Sequence, residues 1–186
     1  MPSMTRNCIV VDLDRCFGCF SCEVSCKAEN DINVGEQWNK VMIEGPHGTF
    51  PDVEQYWLPT MCQQCEDAPC VSVCPTGAAK YGTDGIVEVD QGRCIGCLYC
   101  VAACPYPVRV RNSQTGAVDK CRFCTVAADD GTKMCSCVEA CLTGCRIFGD
   151  LDDPNSEISK AIIETGAAPI AGDLTKAKIY YVRRLR

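Results

Sequence analysis

Apolar residues in this chain come in short runs, broken by cysteine, glycine and proline, and not in long periodic stretches. The run Cys8-Ile-Val-Val11, within Arg6–Asp12, predicts a short strand, with Cys8 as a small buried hydrophobe. Cys22–Asn30 reads as a short helix. Ala79–Tyr81 and Ile86–Val89 flank Gly82-Thr-Asp-Gly85, the signature of a β-hairpin with a four-residue turn. Asp153-Pro154 reads as an N-cap with proline at the first helical position. Ile158, Ala161 and Ile162 then share one helix face, and Gly166 ends it. Ile179-Tyr-Tyr-Val182 predicts a terminal strand. Residues 31–60 hold no cysteine but carry Trp38, Trp57 and the Gly45-Pro-His47-Gly-Thr-Phe50-Pro-Asp52 stretch. That punctuation predicts an irregular excursion, with the aromatics as local core and His47 as a surface loop residue.

Cysteine changes this picture. Nineteen of 186 residues are cysteine, which means a disulfide scaffold or a metal protein. Disulfides need an oxidising compartment, and Met1-Pro-Ser-Met-Thr-Arg-Asn-Cys8 contains no apolar signal core. Structural zinc uses two well-separated pairs, and the only histidine is His47, so Cys2His2 fingers and Rieske centres are excluded. The spacing points elsewhere. Cys94-Ile-Gly-Cys97-Leu-Tyr-Cys100-Val-Ala-Ala-Cys104-Pro is the C-x-x-C-x-x-C-x-x-x-C-P run of a 4Fe–4S cubane. Cys16, Cys19, Cys22 and Cys26 repeat that spacing, with Gly18 where Gly96 stands and Lys27 in place of proline. Cys62, Cys65, Cys70 and Cys74 form a run lengthened by two residues and closed by Pro75. The last run draws on Cys121, Cys124, Cys135, Cys137, Cys141 and Cys145. Its segment Cys137-Val-Glu-Ala-Cys141-Leu-Thr-Gly parallels Cys70-Val-Ser-Val-Cys74-Pro-Thr-Gly, which selects Cys121, Cys124, Cys137 and Cys141. Cys135 and Cys145 become packing or adventitious thiols, and a rival set uses Cys141 with Cys145.

In two-cluster ferredoxins the fourth cysteine of one run serves the other cluster. The four expected sets are therefore Cys16, Cys19, Cys22 with Cys141; Cys62, Cys65, Cys70 with Cys104; Cys94, Cys97, Cys100 with Cys74; and Cys121, Cys124, Cys137 with Cys26. The expected fold is α+β: two pseudo-symmetric ferredoxin-like dicluster modules of short strands, hairpins and helices, plus a C-terminal helix and strand. Residues 58–114 form the inner module, and 1–30 with 115–153 the outer one. Residues 31–57 connect them, and 154–186 supply the C-terminal helix, strand and basic tail (Lys176, Lys178, Arg183, Arg184, Arg186). Sixteen thiolates on four 4Fe–4S clusters leave no open iron, so each cluster carries single electrons and has no catalytic residue beside it. Lys27, Lys120 and Arg122 adjoin ligands and are candidates for raising local potentials. The formal charge of −6 falls to about −14 with four clusters of roughly −2 each, which argues against nucleic acid and anionic lipid. No run of eighteen apolar residues offers a membrane span.

These runs, with Cys74-Pro-Thr-Gly-Ala, Cys104-Pro-Tyr and Cys141-Leu-Thr-Gly-Cys-Arg-Ile-Phe-Gly-Asp150-Leu, resemble the iron–sulfur subunits of the dimethyl sulfoxide reductase family of molybdopterin enzymes. The resemblance spans Asn7–Asp153 and matches all sixteen ligand positions; Leu142 and Cys145 depart from the family's Cys-Pro-Thr-Gly-Ala form. It implies a large catalytic partner carrying molybdenum or tungsten bis-pterin. It also implies electron exchange with a membrane quinone-binding anchor subunit or a soluble donor. The implied location is cytoplasmic, or periplasmic through co-export with a signal-bearing partner. The other reading from these residues is the same relay serving a hydrogenase or another non-pterin partner, or a free polyferredoxin. Gly48-Thr-Phe-Pro-Asp52 before Trp57-Leu-Pro-Thr-Met-Cys62 is similar to the arsenate- and aromatic-dehydroxylating branches.

Overall fold

The structure is a computed structural model, and it describes residues 6–127 and 133–183. The frame of the molecule is a three-stranded sheet of order β10-β1-β11, with β1 at Asn7–Asp12, β10 at Arg146–Asp150 and β11 at Ile179–Val182. β1 runs antiparallel to β10 and parallel to β11. Its four apolar residues are all buried because the sheet is covered on both faces. Cys8 and Val10 face α5 (Glu157–Thr165) and pack with the fully buried Ile158. Ile9 and Val11 face the main core, beside Ile179, Tyr181 and the cysteine loops. Both the predicted strands and the buried Cys8 are borne out.

The helix α5 starts later than expected. Ser156, not Asp153, is the N-cap; its hydroxyl accepts from the Ser159 N–H at 3.2 Å. Asp153 instead offers its carbonyl to the Ser156 and Ser159 hydroxyls, both at 2.8 Å, so Pro154 lies in a turn before the helix. Gly166 ends the helix in the left-handed region (φ 67°), as expected.

The excursion after α1 (Ser21–Asn30) is not irregular. It forms the longest strands in the described chain, β2 (Asn39–Thr49) and β3 (Asp52–Met61), paired antiparallel from Asn39↔Met61 to Thr49↔Asp52. Gly45 and Pro46 fall at a register shift between Glu44 and His47, where a bulge absorbs residues that cannot hold the ladder. The base of this hairpin is core, through Val41, Met61 and Trp38, while Phe50 at its tip is exposed. His47 is exposed and stacks on Tyr56 at 6.0 Å.

The remaining elements are short. They are α2 (Pro69–Ser72), the expected hairpin β4 (Ala79–Tyr81) and β5 (Val87–Val89), α3 (Tyr99–Ala102), β6 (Val110–Arg111) with β7 (Val118–Asp119), β8 (Thr125–Ala127) with β9 (Lys133–Cys135), and α4 (Ser136–Glu139). The result is a small mixed α/β fold of short elements, of the kind that ferredoxin-like 4Fe–4S domains use. Among the described residues no helix is long and apolar enough to cross a membrane. Asp129, Asp130, Gly131, Arg184 and Arg186 lie outside the described residues.

Candidate metal centres

Every cysteine run bends into the left-handed region just before its second cysteine. Gly18 (φ 72°) and Gly96 (φ 66°) take that place in the first and third runs, Gln64 (φ 47°) and Phe123 (φ 49°) in the second and last. The bend reverses the chain so that flanking cysteines turn toward one side. Phe20 (φ 60°) and Leu98 (φ 65°) repeat it, and α1 and α3 begin directly afterwards. A side chain other than glycine pays for this conformation. Gln64 is fixed by donating to the Cys121 carbonyl at 2.8 Å and accepting from the Val87 N–H at 2.9 Å. Phe123 is fixed edge-on against Phe148 at 6.0 Å. At Gly18 no Cβ fits, since it would stand 2.3 Å from the Trp57 ring.

The loops gather the thiols into sets. One gap is lined by Cys16, Cys19, Cys22 and Cys141, with Cys145 as a fifth thiol. A second is lined by Cys74, Cys94, Cys97 and Cys100. A third is lined by Cys26, Cys121, Cys124 and Cys137, with Cys135 as a fifth thiol. Cys62, Cys70 and Cys104 surround Cys65 closely enough to act on its ionisation. Each expected set is thus brought together, including the cysteine drawn from a distant run. The rival last set is not, because Cys141 and Cys145 face the first run's gap and not that of Cys121 and Cys124. Among the described residues, no three histidine, cysteine, aspartate or glutamate side chains converge as a single ion requires.

The surroundings test whether an anionic cluster fits. Burial, with neighbouring thiols adding to it, pushes Cys26 up to about 12; burial likewise pushes Cys65 up to about 11. Thiolates at such places need cations beside them, which iron supplies. Cys16 and Cys74 are exceptions: the hydrogen bond from Cys145 is the main cause that lowers Cys16 to about 7, and at Cys74 burial raises the thiol but hydrogen bonds, first that of the Ala79 N–H, outweigh it. Backbone N–H groups donate to sulfur, Ala79 to Cys74 at 3.3 Å and Val118 to Cys94 at 3.4 Å. The Asn30 amide donates to Cys124 at 3.5 Å.

Two buried cations carry the test furthest. Arg109 Nη2 donates to Cys70 Sγ at 2.7 Å. Arg146 Nη2 donates to Cys22 Sγ at 3.3 Å and to Asn39 Oδ1 at 3.1 Å. Arg109 is 6% exposed and Arg146 3%, yet among the described residues neither forms an ion pair with a carboxylate. Arg109 Nη1 is buried with no partner among them. A buried guanidinium without a counter-charge is costly. An all-thiolate cluster of roughly −2 beside each is the charge they lack, so the residues fit the group.

These arginines join the cations expected to tune the clusters, of which Lys120 acts on Cys70. Lys27 donates to the carbonyls of Asn33 and Glu36, and Lys120 to those of Val87 and Cys121. Arg122 lies over the Trp38 ring at 5.1 Å and donates to Asn30 at 3.2 Å. The signal for the true contacts was an offset: each arginine stands five residues past the fourth cysteine of its run. Cys145 was also undervalued, since its sulfur is 3.4 Å from that of Cys141.

Loops, gathered thiols and buried cations together define a 4Fe–4S dicluster protein, and residues 53–151 match the family model described as a 4Fe-4S dicluster domain. The chain belongs to that family and, within it, to the iron–sulfur electron-transfer subunits of the molybdopterin oxidoreductases related to dimethyl sulfoxide reductase. It is 46% identical to the thiosulfate reductase electron transfer subunit of Salmonella typhi, over 86% of this chain and 83% of that one. It is 43% identical to a tetrathionate reductase subunit of Salmonella typhimurium, over 83% of this chain and 62% of that one. The arsenate respiratory reductase iron-sulfur subunit of a Shewanella species is 34% identical, over 94% of this chain and 95% of its own length. The chain therefore holds 4Fe–4S clusters and serves electron transfer within a reductase complex.

Proposed function

We propose that this chain relays single electrons through four 4Fe–4S clusters to or from a molybdenum or tungsten bis-pterin catalytic subunit. Each bound cluster takes up and gives back one electron. The chain's own residues hold, space and insulate the clusters. The carrying observation is the convergence of four thiol sets, each completed by a cysteine from another run. The ligand sets are Cys16, Cys19, Cys22, Cys141; Cys62, Cys65, Cys70, Cys104; Cys94, Cys97, Cys100, Cys74; and Cys121, Cys124, Cys137, Cys26. The second and third sets make an inner module within 58–114. The first and last make an outer, pseudo-symmetric one from 1–30 and 115–153, with 31–57 as the link and 154–186 closing the sheet.

Contacts between sets support an order. Arg109 feels Cys70, Cys62 and Cys104 of the second set and Cys100 of the third. Gln64 in the second run bonds Cys121 in the last. Cys22 of the first set feels Cys137 of the last. The path then reads third, second, last, first. Its two ends carry the exposed cysteines of the chain, Cys97 and Cys19. Exposed apolar side chains surround them: Ile95 and Tyr99 at one end, Phe17 and Leu142 at the other. These ends suit the catalytic subunit and the second redox partner, either a membrane quinone-binding subunit or a soluble donor.

Anaerobic purification of the tagged chain from its native host, with metals measured by mass spectrometry, tests this reading. About 16 iron per chain with molybdenum or tungsten in the same peak is the expected result. Full iron with neither metal transfers the relay to a hydrogenase or another partner. Fewer clusters, or zinc in place of iron, overturns it.

A further inference from the structure

We propose that the first thiol set has two interchangeable fourth ligands, Cys141 and Cys145, so that its cluster is held through either sulfur. The proposal rests on the ligand sets given above. Four residues past the fourth cysteine of each run stand Asn30, Ala78, Val108 and Cys145. Of these only Cys145 carries a sulfur. It is also one of the two places where the chain departs from the Cys-Pro-Thr-Gly-Ala form of its relatives. Packing alone would be served by the alanine or valine that stands at this offset in the middle runs. The sulfur of Cys145 lies 3.4 Å from that of Cys141, and it also hydrogen bonds to Cys16. Cys145 is thus the middle of a row of three sulfurs, on the gap that Cys16, Cys19, Cys22 and Cys141 line.

Two different parts of the fold deliver the pair. Cys141 follows α4, and its N–H donates to the Val138 carbonyl at 3.1 Å. Gly144 then enters the left-handed region (φ 57°) and donates its N–H to the Cys141 carbonyl at 3.1 Å, which turns the chain back on itself. Cys145 is held from the sheet: its carbonyl accepts from the Asp12 N–H at 2.7 Å, and β10 begins one residue later. Leu142, where the middle runs have proline, leaves the turn between the two thiols less rigid. Each sulfur moves on a single χ1 torsion. In the exchange, the iron–sulfur bond of one cysteine breaks as that of the other forms. The proton of the incoming thiol passes to the outgoing sulfur, because the thiolate is the ligand. No electron is gained or lost, and the charge of the site is unchanged. One of the pair is therefore always a free thiol. Cys19 of this set is exposed and Cys141 half-buried, whereas Cys145 is buried, so the spare ligand stands on the sheltered side of the site.

The test is thiol alkylation of the cluster-loaded full chain in its purified complex. The complex is treated anaerobically with iodoacetamide, iron is counted, and tandem mass spectrometry locates the label. The expected result is capture of Cys141, in all or part of the chains, with iron held at about 16 per chain, since Cys145 then carries the cluster. Label on Cys145 alone, or label on Cys141 with loss of iron, overturns the proposal. In Cys145→Ala the iron stays full, but alkylation of Cys141 now costs one cluster, about 4 iron per chain. Iron kept after that alkylation overturns it, because another group has then replaced Cys141. Where the reagent reaches neither sulfur, Cys141→Ala decides: full iron supports two alternative ligands, and a three-iron resonance or the loss of one cluster overturns them. The ligand sets fail separately, if label appears on Cys16, Cys19 or Cys22 of the unsubstituted protein with its iron full.

Discussion

The middle of the chain and its two ends build their thiol sets in different ways. Cys62–Cys104 is one continuous stretch, and each fourth cysteine is followed by a proline, Pro75 or Pro105. Proline fixes the chain's exit, and the sets it borders have four thiols each. The ends, Cys16–Cys26 and Cys121–Cys145, meet across the sheet β10-β1-β11 and through α1 against α4. There Lys27 and Leu142 stand where the prolines would, and each gap gains a fifth thiol, Cys135 or Cys145. A set made from neighbouring sequence is held by its own loops. A set made from distant ends depends on long-range packing and tolerates more freedom in its ligands.

The strongest challenge to this contrast is removal of a fourth ligand. Cys104→Ala is expected to break one cluster, seen as loss of iron and a new three-iron resonance. Cys141→Ala keeps its iron, because the sulfur of Cys145 lies 3.4 Å from that of Cys141. The double substitution Cys141→Ala with Cys145→Ala behaves as Cys104→Ala does. Equal iron loss in both single variants would sink the idea of a more tolerant outer set. Cys26→Ser sharpens the same contrast, since damage should appear in the cluster held by Cys121, Cys124 and Cys137.

A smaller effect is expected at the glycines. Gly18→Ala drives a methyl to 2.3 Å from the Trp57 ring, and Gly96→Ala drives one to 2.5 Å from the Gly116 carbonyl. Both positions are left-handed, so each costs about 1–3 kcal/mol by thermal unfolding. Trp57→Ala should recover part of the loss at Gly18, an outer position resting on a distant hairpin. No second substitution of a side chain helps at Gly96, where the obstacle is backbone. The smallest effect is at Glu36, which ties the segment before β2 to the β6–β7 turn by accepting from the Ser113 N–H and hydroxyl, both at 2.7 Å. Burial works against its charge, but these bonds outweigh it and hold the carboxyl below its ordinary range. Glu36→Gln should lower Tm at neutral pH by roughly 2–4 °C, about 1 kcal/mol, without changing iron content.

The gathering of the thiols was legible because the cysteine spacing repeats, and Cys26 and Cys141 do stand beside runs far from them in the chain. The strand Cys8–Val11 and the hairpin around Gly82–Gly85 were legible from patterning alone. The β2–β3 hairpin was not, because Gly45, Pro46 and Pro51 read as breakers and only the pairing of Asn39 with Met61 and its neighbours shows that a bulge absorbs Gly45 and Pro46 while Pro51 falls in the turn. The cap at Ser156 was hidden by the equally good signal at Asp153, and three-dimensional contact with Asp150 and Leu151 decided between them. The arginines on Cys22 and Cys70 were hidden for a different reason. They adjoin their sulfurs in space, five residues past a cysteine of another run, where adjacency along the chain does not point.

β1 lies between its two neighbours in the sheet, and those neighbours are the last two strands among the described residues. During synthesis it leaves the ribosome ahead of both and waits for them. At about 5–20 residues per second, that interval is on the order of ten to thirty seconds. Through it the apolar run Cys8–Val11 and the thiols of Cys16–Cys26 have neither sheet partner nor Cys141. The middle of the chain is under no such delay, since Cys62–Cys104 is complete as soon as it emerges. On the proposed ligand sets, topology would order iron delivery in time: the centres between Cys62 and Cys104 first, and those that need Cys141 or Cys121–Cys137 only after these have emerged. A nascent chain stalled before β11 would carry a loaded interior and an unsealed exterior.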